Sequence, residues 1–327
     1  MARQKVNPGP DHAQTLWTMN ALGRCYFRLH RQSDATKLAE ETLALRRAKL
    51  GSYDRDTLGS MHNLATVYHV LGRHADAAKM EEEALALVQT KLGSENTLAA
   101  WCMDTLGLSY YFLGRQDEGL KLEEQALALR KAQLGADHPL TLMVMHSLAN
   151  SYYFVFGRHA DALKRCEETV ARAKAKLGAD HPQTLWSMSS LAWFLATGPD
   201  LKLRNPPRAL ELAKKLVQAS PNEAWFWEVY GVARYRTGDW KGAVETLEKA
   251  NTLLRNPDGL EDASPSFFLA MAYWQLGDNP KGRHWFDRSV RSMQRELIEK
   301  KGWWPNDAEL KRLHAEAAVL IGVKQKP

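Results

Sequence analysis

The feature that most constrains this chain is a unit of 42 residues that it writes repeatedly. The clearest copy runs from Gly51 to Leu92. Gly9 to Leu50 and Gly93 to Leu134 have the same length, Gly135 to Leu177 is one residue longer, and a looser copy opens at Gly178. Self-similarity at a fixed period of this size signals supersecondary units that cannot bury their apolar faces alone and therefore stack.

Within the Gly51 copy, Thr57, Met61, Leu64, Ala65 and Tyr68 recur at helical spacing, and Leu71-Gly72 ends the run. A second run carries Ala77, Ala78, Met80, Ala84, Leu85 and Leu87 and stops at Gly93. Glycine just past a helical pattern is a stop signal, because it enters the left-handed region without a Cβ penalty. Each unit therefore predicts two helices of about four turns joined by a tight turn. In the fourth unit Gly157 is delayed by one residue, which predicts a looser or longer turn. The fifth opens as DHPQTLWSM and is interrupted by Gly198 to Pro207, rich in helix breakers. Two shorter units follow, marked by Trp227, Gly231, Gly238, Ala243 and Ala250, and by Leu269, Ala270, Tyr273, Gly277 and Phe286 after a loop from Asn256 to Pro265. A last helix is expected from about Ala308 to Leu320, with Asp307 as its cap.

Gly23, Ala65, Gly107, Ala149, Ala192, Gly231 and Ala270 fall at one equivalent position, where a large side chain would hold the two helices of a hairpin apart. Leucine precedes the small residue in six of the seven units. The resulting expectation is all-α: fifteen helices, no strands, and a right-handed superhelix, or α-solenoid, of about seven hairpins plus a C-terminal helix. It divides into residues 9–197, four regular repeats plus the first helix of the fifth, and residues 198–322, a divergent part with a capping helix, the two forming one continuous solenoid.

Composition narrows the function classes. The net charge of +6 comes from 44 basic and 38 acidic residues spread along the chain, without the basic tract or face of a nucleic-acid binder. Three cysteines, Cys25, Cys102 and Cys166, are far apart and in no C-x-x-C pair, so neither a disulfide framework nor a zinc site is indicated, and a reducing, cytoplasmic compartment is the simplest reading. The N-terminus has no apolar run of a signal peptide, and no stretch approaches the length of a membrane span.

The small-residue and tyrosine positions, with Trp227, Gly231, Ala243, Ala250 and Pro221, resemble the tetratricopeptide repeat. The longer period and L-G-x-x-H-P-x-T-L, at Leu134 to Leu142 and Leu177 to Leu185, resemble repeats of the kinesin light chain type; the third unit departs, with Ser94-Glu95-Asn96 in place of His-Pro. The C-terminal third, with NPPRALELAKKLVQ and FFLAMAYWQLGDNPKGRHWFDRSV, is similar to repeats that follow the kinase domain in bacterial, particularly planctomycete, serine/threonine protein kinases. No kinase motif is present, so kinase activity is not implied. The chain enters its first repeat almost at once, which suits either a segment of a longer protein or a short N-terminal tail.

The resemblance implies that first helices line a concave groove. At groove-facing offsets stand Asn20, Arg24 and Phe27; His62, Thr66 and His69; Asp104, Leu108 and Tyr111; His146, Asn150 and Tyr153; and Trp193. Aromatic anchors beside Asn, Arg and His suit peptide binding, the alternative being that part of the stripe packs inside the superhelix. Asn20 and Asn150 offer both a donor and an acceptor to a peptide backbone. His62, His69 and His146 also invite a metal or acid–base reading, against groove hydrogen bonding. His12, His138 and His181 fit a helix-start motif, and His74 and His159 a solvated turn. Glu81 to Glu83, Glu123-Glu124 and Glu167-Glu168 recur with the period, as a solvated outer face does. No phosphate loop, nucleophile elbow or H-E-x-x-H occurs. The expectation is a non-catalytic scaffold with a peptide or protein ligand and no cofactor, nucleic acid or membrane insertion. The alternative is a regulatory or targeting segment of a protein kinase system, with a kinase as partner.

Overall fold

Two glycine types set the hairpin geometry. Gly51, Gly93, Gly135 and Gly178 close the second helix of a unit at φ between 84° and 95°, and Gly72, Gly114, Gly238 and Gly277 close the first at φ between 76° and 84°. At the inner turn the next amide bonds back five residues, Arg73 to the Tyr68 carbonyl and Arg115 to the Tyr110 carbonyl, both at 2.9 Å. This is the left-handed C-terminal motif in which glycine avoids the Cβ clash.

The computed structural model describes residues 9, 12–28, 31–93, 96–254, 263–299 and 307–323, excluding the side chains of Arg24, Phe27, Arg28, Leu92 and Leu254. These residues contain fifteen α-helices and no strand. In chain order they are α1 (Ala13–Arg28), α2 (Gln32–Leu50), α3 (Arg55–Val70), α4 (His74–Leu92), α5 (Thr97–Phe112), α6 (Gln116–Leu134), α7 (Pro139–Asn150) and α8 (His159–Leu177). There follow α9 (Pro182–Thr197), α10 (Pro206–Ala219), α11 (Ala224–Arg236), α12 (Trp240–Leu254), α13 (Ala263–Gln275), α14 (Asn279–Glu299) and α15 (Asp307–Ile321). Asp307 is the first helical residue of α15, and most of the loop expected from Asn256 to Pro265 lies outside the described residues. By packing, the chain forms two compact units, one within residues 1–136 and one from residue 137 onward. The first contains hairpins α1/α2, α3/α4 and α5/α6; the second contains α7/α8, α9/α10, α11/α12 and α13/α14, with α15 added.

The first helices begin on side-chain caps. Asp54 accepts from the Asp56 amide at 2.8 Å, Asn96 from Leu98 at 2.9 Å, and the imidazoles of His138 and His181 from Leu140 and Gln183 at 3.2 Å. Any side-chain acceptor of this reach satisfies an orphan amide, so Asn96 does the work of His138 where the His-Pro pattern lapses.

Small residues permit helix contact within a hairpin. A Cβ on Gly107 would lie 2.9 Å from the Gly119 carbonyl oxygen, and one on Gly119 2.7 Å from that of Gly107. Ala65, Ala149, Ala192 and Ala270 are fully buried at the position equivalent to Gly107. Tyrosine then ties neighbouring units together. Tyr68 donates its hydroxyl to Glu40 and Tyr110 to Glu82, both at 2.7 Å, while Arg73 and Arg115 lie over the two rings at 4.0 and 3.6 Å.

The structure corrects three expectations. The extra residue of the fourth repeat enters the helix itself: α7 ends in a π-helical turn, Ser151–Val155, and the Phe156 amide bonds to the Ser151 carbonyl at 3.2 Å. Widening one helical turn absorbs the insertion and leaves the glycine turn in place. His74 is buried rather than solvated, stacked on Phe112 with centroids 3.9 Å apart. Glu81 and Glu123 are buried too, unlike their exposed neighbours Glu82, Glu83 and Glu124, because their helix phase turns them toward the first helices.

Candidate functional site

The first helix of each hairpin presents one face through residues three and four apart. In the first unit that face carries Asn20 on α1, His62 and Thr66 on α3, and Asp104 on α5, all half-buried. Asn63 donates its amide to Asn20 at 3.1 Å, linking α3 to α1. The His62 Nδ1 lies 2.8 Å from a Glu81 carboxylate oxygen, and Trp101 of the next hairpin stacks over the imidazole at 5.8 Å. Burial lowers the His62 pKa, but the Glu81 carboxylate and Asp104 outweigh it, so the net shift is upward from 6.5. Asp104 in turn offsets part of the desolvation cost of Arg130, which is almost fully buried. These charges are neutralised within the unit, leaving a polar floor with aromatic edges.

His69 and Tyr111 lie deeper. His69 is buried beside His74 and Ser109, each 3.3 Å from its Nδ1, and Tyr111 donates to Glu123 at 2.6 Å. Both side chains fill the seam between a first helix and its surroundings. The side chains of Arg24 and Phe27 lie outside the described residues.

In the second unit the same face carries His146 and Asn150 on α7, Tyr153 in the π turn, and Trp193 on α9. His146 is half-buried; Asn150, Tyr153 and Trp193 are buried. Burial pushes the His146 pKa down to about 4, so the imidazole is neutral, with Ser190 Oγ at 2.8 Å and the Asn150 amide at 3.2 Å from its Nε2. The Asn150 amide thus meets a side chain within the unit. Tyr153 stacks on Phe194 at 4.0 Å and shares a 2.9 Å hydrogen bond with Thr197. The sequence-derived set thus splits by depth, with Asn20, His62, Thr66, Asp104 and His146 reaching the surface.

A stripe missed by that set lies one turn earlier. Six residues before the small residue stand Trp17, Gly59, Trp101, Met143, Trp186 and Trp225. Trp17, Met143 and Trp186 are exposed by 58%, 50% and 42%, and Trp101 and Trp225 are half-buried. The period itself was the available signal, since tryptophan recurs at this position in four repeats.

Among the described residues no group of three or more His, Cys, Asp and Glu side chains is placed to hold a metal ion. Burial raises the Cys102 thiol far above its ordinary value, with Glu81 adding to the effect, so it stays protonated. Among the described residues no helix is long and apolar enough to cross a membrane.

Family models described as tetratricopeptide repeat match residues 1–48 and 56–132, residues 141–183, and residues 200–253, together more than half of the chain. The chain belongs to the tetratricopeptide repeat family. Solved structures share its fold, the Rap protein and NprR among them. The Rap protein solved in complex with Competence and Sporulation Factor is 12% identical, with a TM-score of 0.66 over 87% of this chain and 76% of that one. The quorum sensor NprR from B. thuringiensis, solved in its apo form, is 20% identical, with a TM-score of 0.60 over 86% and 76%. Nearly identical TPR-like repeats of a putative kinesin light chain from Podosopora anserina are 26% identical over 62% of this chain and 93% of theirs, with a TM-score of 0.49. Among curated proteins none matches the chain.

Proposed function

We propose that this tetratricopeptide repeat chain is a non-catalytic scaffold that binds a peptide or protein segment along its first-helix face. The observation that carries the reading is made within each unit: Trp17 is exposed in the first, with half-buried Asn20 on the same helix, and Met143 and Trp186 are exposed at the same repeat position in the second, with half-buried His146 on the Met143 helix. Exposed aromatic anchors beside polar groups of fixed geometry match the residues that dominate protein-interface energetics. The Rap and NprR relatives support it, since one was solved with the Competence and Sporulation Factor and the other is named a quorum sensor. A protein kinase is one partner class, on the resemblance of segments within residues 205–290 to repeats that follow kinase domains.

The test is affinity capture from native lysate with the intact chain and with Trp17→Ala plus Trp101→Ala. Proteins recovered by the intact chain and lost with a folded variant support the reading. An unchanged set of recovered proteins removes it for the first unit.

A further inference from the structure

The last helix lies on the face proposed to take ligands. Glu309 on α15 accepts from the Trp193 indole at 3.0 Å and from Thr197 Oγ1 at 3.3 Å, both on α9. Glu316, two turns later, is held by both terminal nitrogens of Arg236 on α11, one at 2.9 Å. His314 packs edge-on against Phe267 of α13 at 5.9 Å. One helix therefore touches the first helices of three consecutive hairpins.

Its chemistry exceeds what a terminal cap needs. Leu310, Leu313, Ala317, Ala318 and Ile321 already supply a buried apolar stripe. Burying a carboxylate costs several kcal/mol unless it is well partnered, and apolar residues would close the end of a stack without that cost. Yet Glu309 is 9% exposed, reaches three hairpins back along the chain, and meets a ready-made set of donors. Tyr153, Thr197 and Trp193 form a polar seam on an otherwise aromatic surface, with Tyr153 standing in the π turn. The Arg236 side chain is 10% exposed, with its Nε buried and without a hydrogen-bond partner. Such a surface reads a helix bearing two carboxylates seven residues apart.

We propose that α15 is a built-in occupant of the binding face formed by α9, α11 and α13, and that its external competitor is an acidic amphipathic helix with carboxylates seven residues apart beside an apolar stripe. The inference rests on the first-helix face being the ligand-binding face. Because α15 is tethered, it acts at an effective concentration of order millimolar, so an external helix gains access only when α15 is weakened or outcompeted. This makes α15 an autoinhibitory element.

The experiment uses the full chain and a fluorescein-labelled peptide of residues 306–322. Leu313→Ala plus Glu316→Ala, and Glu316→Gln as a milder variant, are followed by hydrogen exchange. The expected result is at least tenfold faster exchange of the α15 amides, with α7 to α14 still protected, and at least tenfold tighter binding of the labelled peptide than to the unaltered chain. Replacing Glu309 and Glu316 of the peptide by glutamine should abolish that gain. Equal peptide affinity for variant and unaltered chains, or no binding while exchange shows α15 released, overturns the proposal. Unchanged α15 exchange in both variants overturns it as well. Capture by the face within residues 1–136 is measured separately, so a failed scaffold reading and a failed occupant are told apart.

Discussion

Trp193 and Glu309, 116 residues apart in sequence, meet in a buried hydrogen bond of 3.0 Å. The indole also packs at 5.0 Å from Trp225 and edge-on at 6.5 Å from Phe268, so one side chain joins α9 to α11, α13 and α15. Trp193→Phe keeps an aromatic ring and deletes the donor. Losing one partner of a buried carboxylate costs about 1–3 kcal/mol. Hydrogen exchange should show faster opening of α15, with smaller changes in α7 and α8. Unchanged α15 protection would mean that the apolar stripe alone holds it.

The His62–Glu81 pair makes stability of the first unit depend on pH. The folded-state pKa of His62 is raised above 6.5, through Glu81 and Asp104 acting against burial. A raised value means that the folded state holds the proton more tightly than the unfolded one. The stabilisation is fully present below about pH 6.5, the unfolded value, and is lost as pH rises through the folded value. The destabilisation caused by His62→Gln should therefore be larger at pH 5.5 than at pH 9 in urea melts. A pH-independent difference would show that the pair does not titrate as described.

Gly119 on α6 faces Gly107 on α5 with no room for a methyl group. Replacing a helical glycine by alanine ordinarily stabilises by about 1 kcal/mol. Here the new Cβ would lie 2.7 Å from both the Gly107 carbonyl oxygen and the Tyr111 ring. Overpacking of this kind costs about 1–3 kcal/mol, so Gly119→Ala should lower the melting temperature. A rise in thermal denaturation would show that α5 and α6 separate easily.

Trp186 is 42% exposed and meets Phe226 edge-on at 5.4 Å. Trp186→Ala should change folding stability by less than about 1 kcal/mol, as partly exposed positions do. It should nonetheless reduce partner recovery by the second unit several-fold. Urea melts and capture, measured together, separate the two effects, and full recovery would remove Trp186 from the interface.

Hairpin order and helix boundaries were legible because glycine and alanine repeat with the period, and Leu64-Ala65 and Leu106-Gly107 mark the contact surface in each copy. The functional face was legible only in phase. Asn20, His62 and Asp104 stand at surface positions, but Tyr111, Asn150 and Tyr153 share their helical register and are buried. Periodicity reports the direction of a side chain about its helix axis. It does not report how far the neighbouring hairpin extends over that side chain. The Glu81 and Glu123 contacts were hidden for the same reason, since a run of carboxylates reads as solvated until its partner helix is in place.

The sequence by itself determined that this chain is a row of helical hairpins, where each turns, and which small residues let the helices touch. Those are local properties, set by backbone freedom at glycine and by spacing along a helix. Only the tertiary structure decided that an inserted residue becomes a π turn under Tyr153, and that Glu309 and Glu316 of the last helix reach Trp193 and Arg236. Such long-range pairings depend on how hairpins stack, a geometry to which the repeat period is blind.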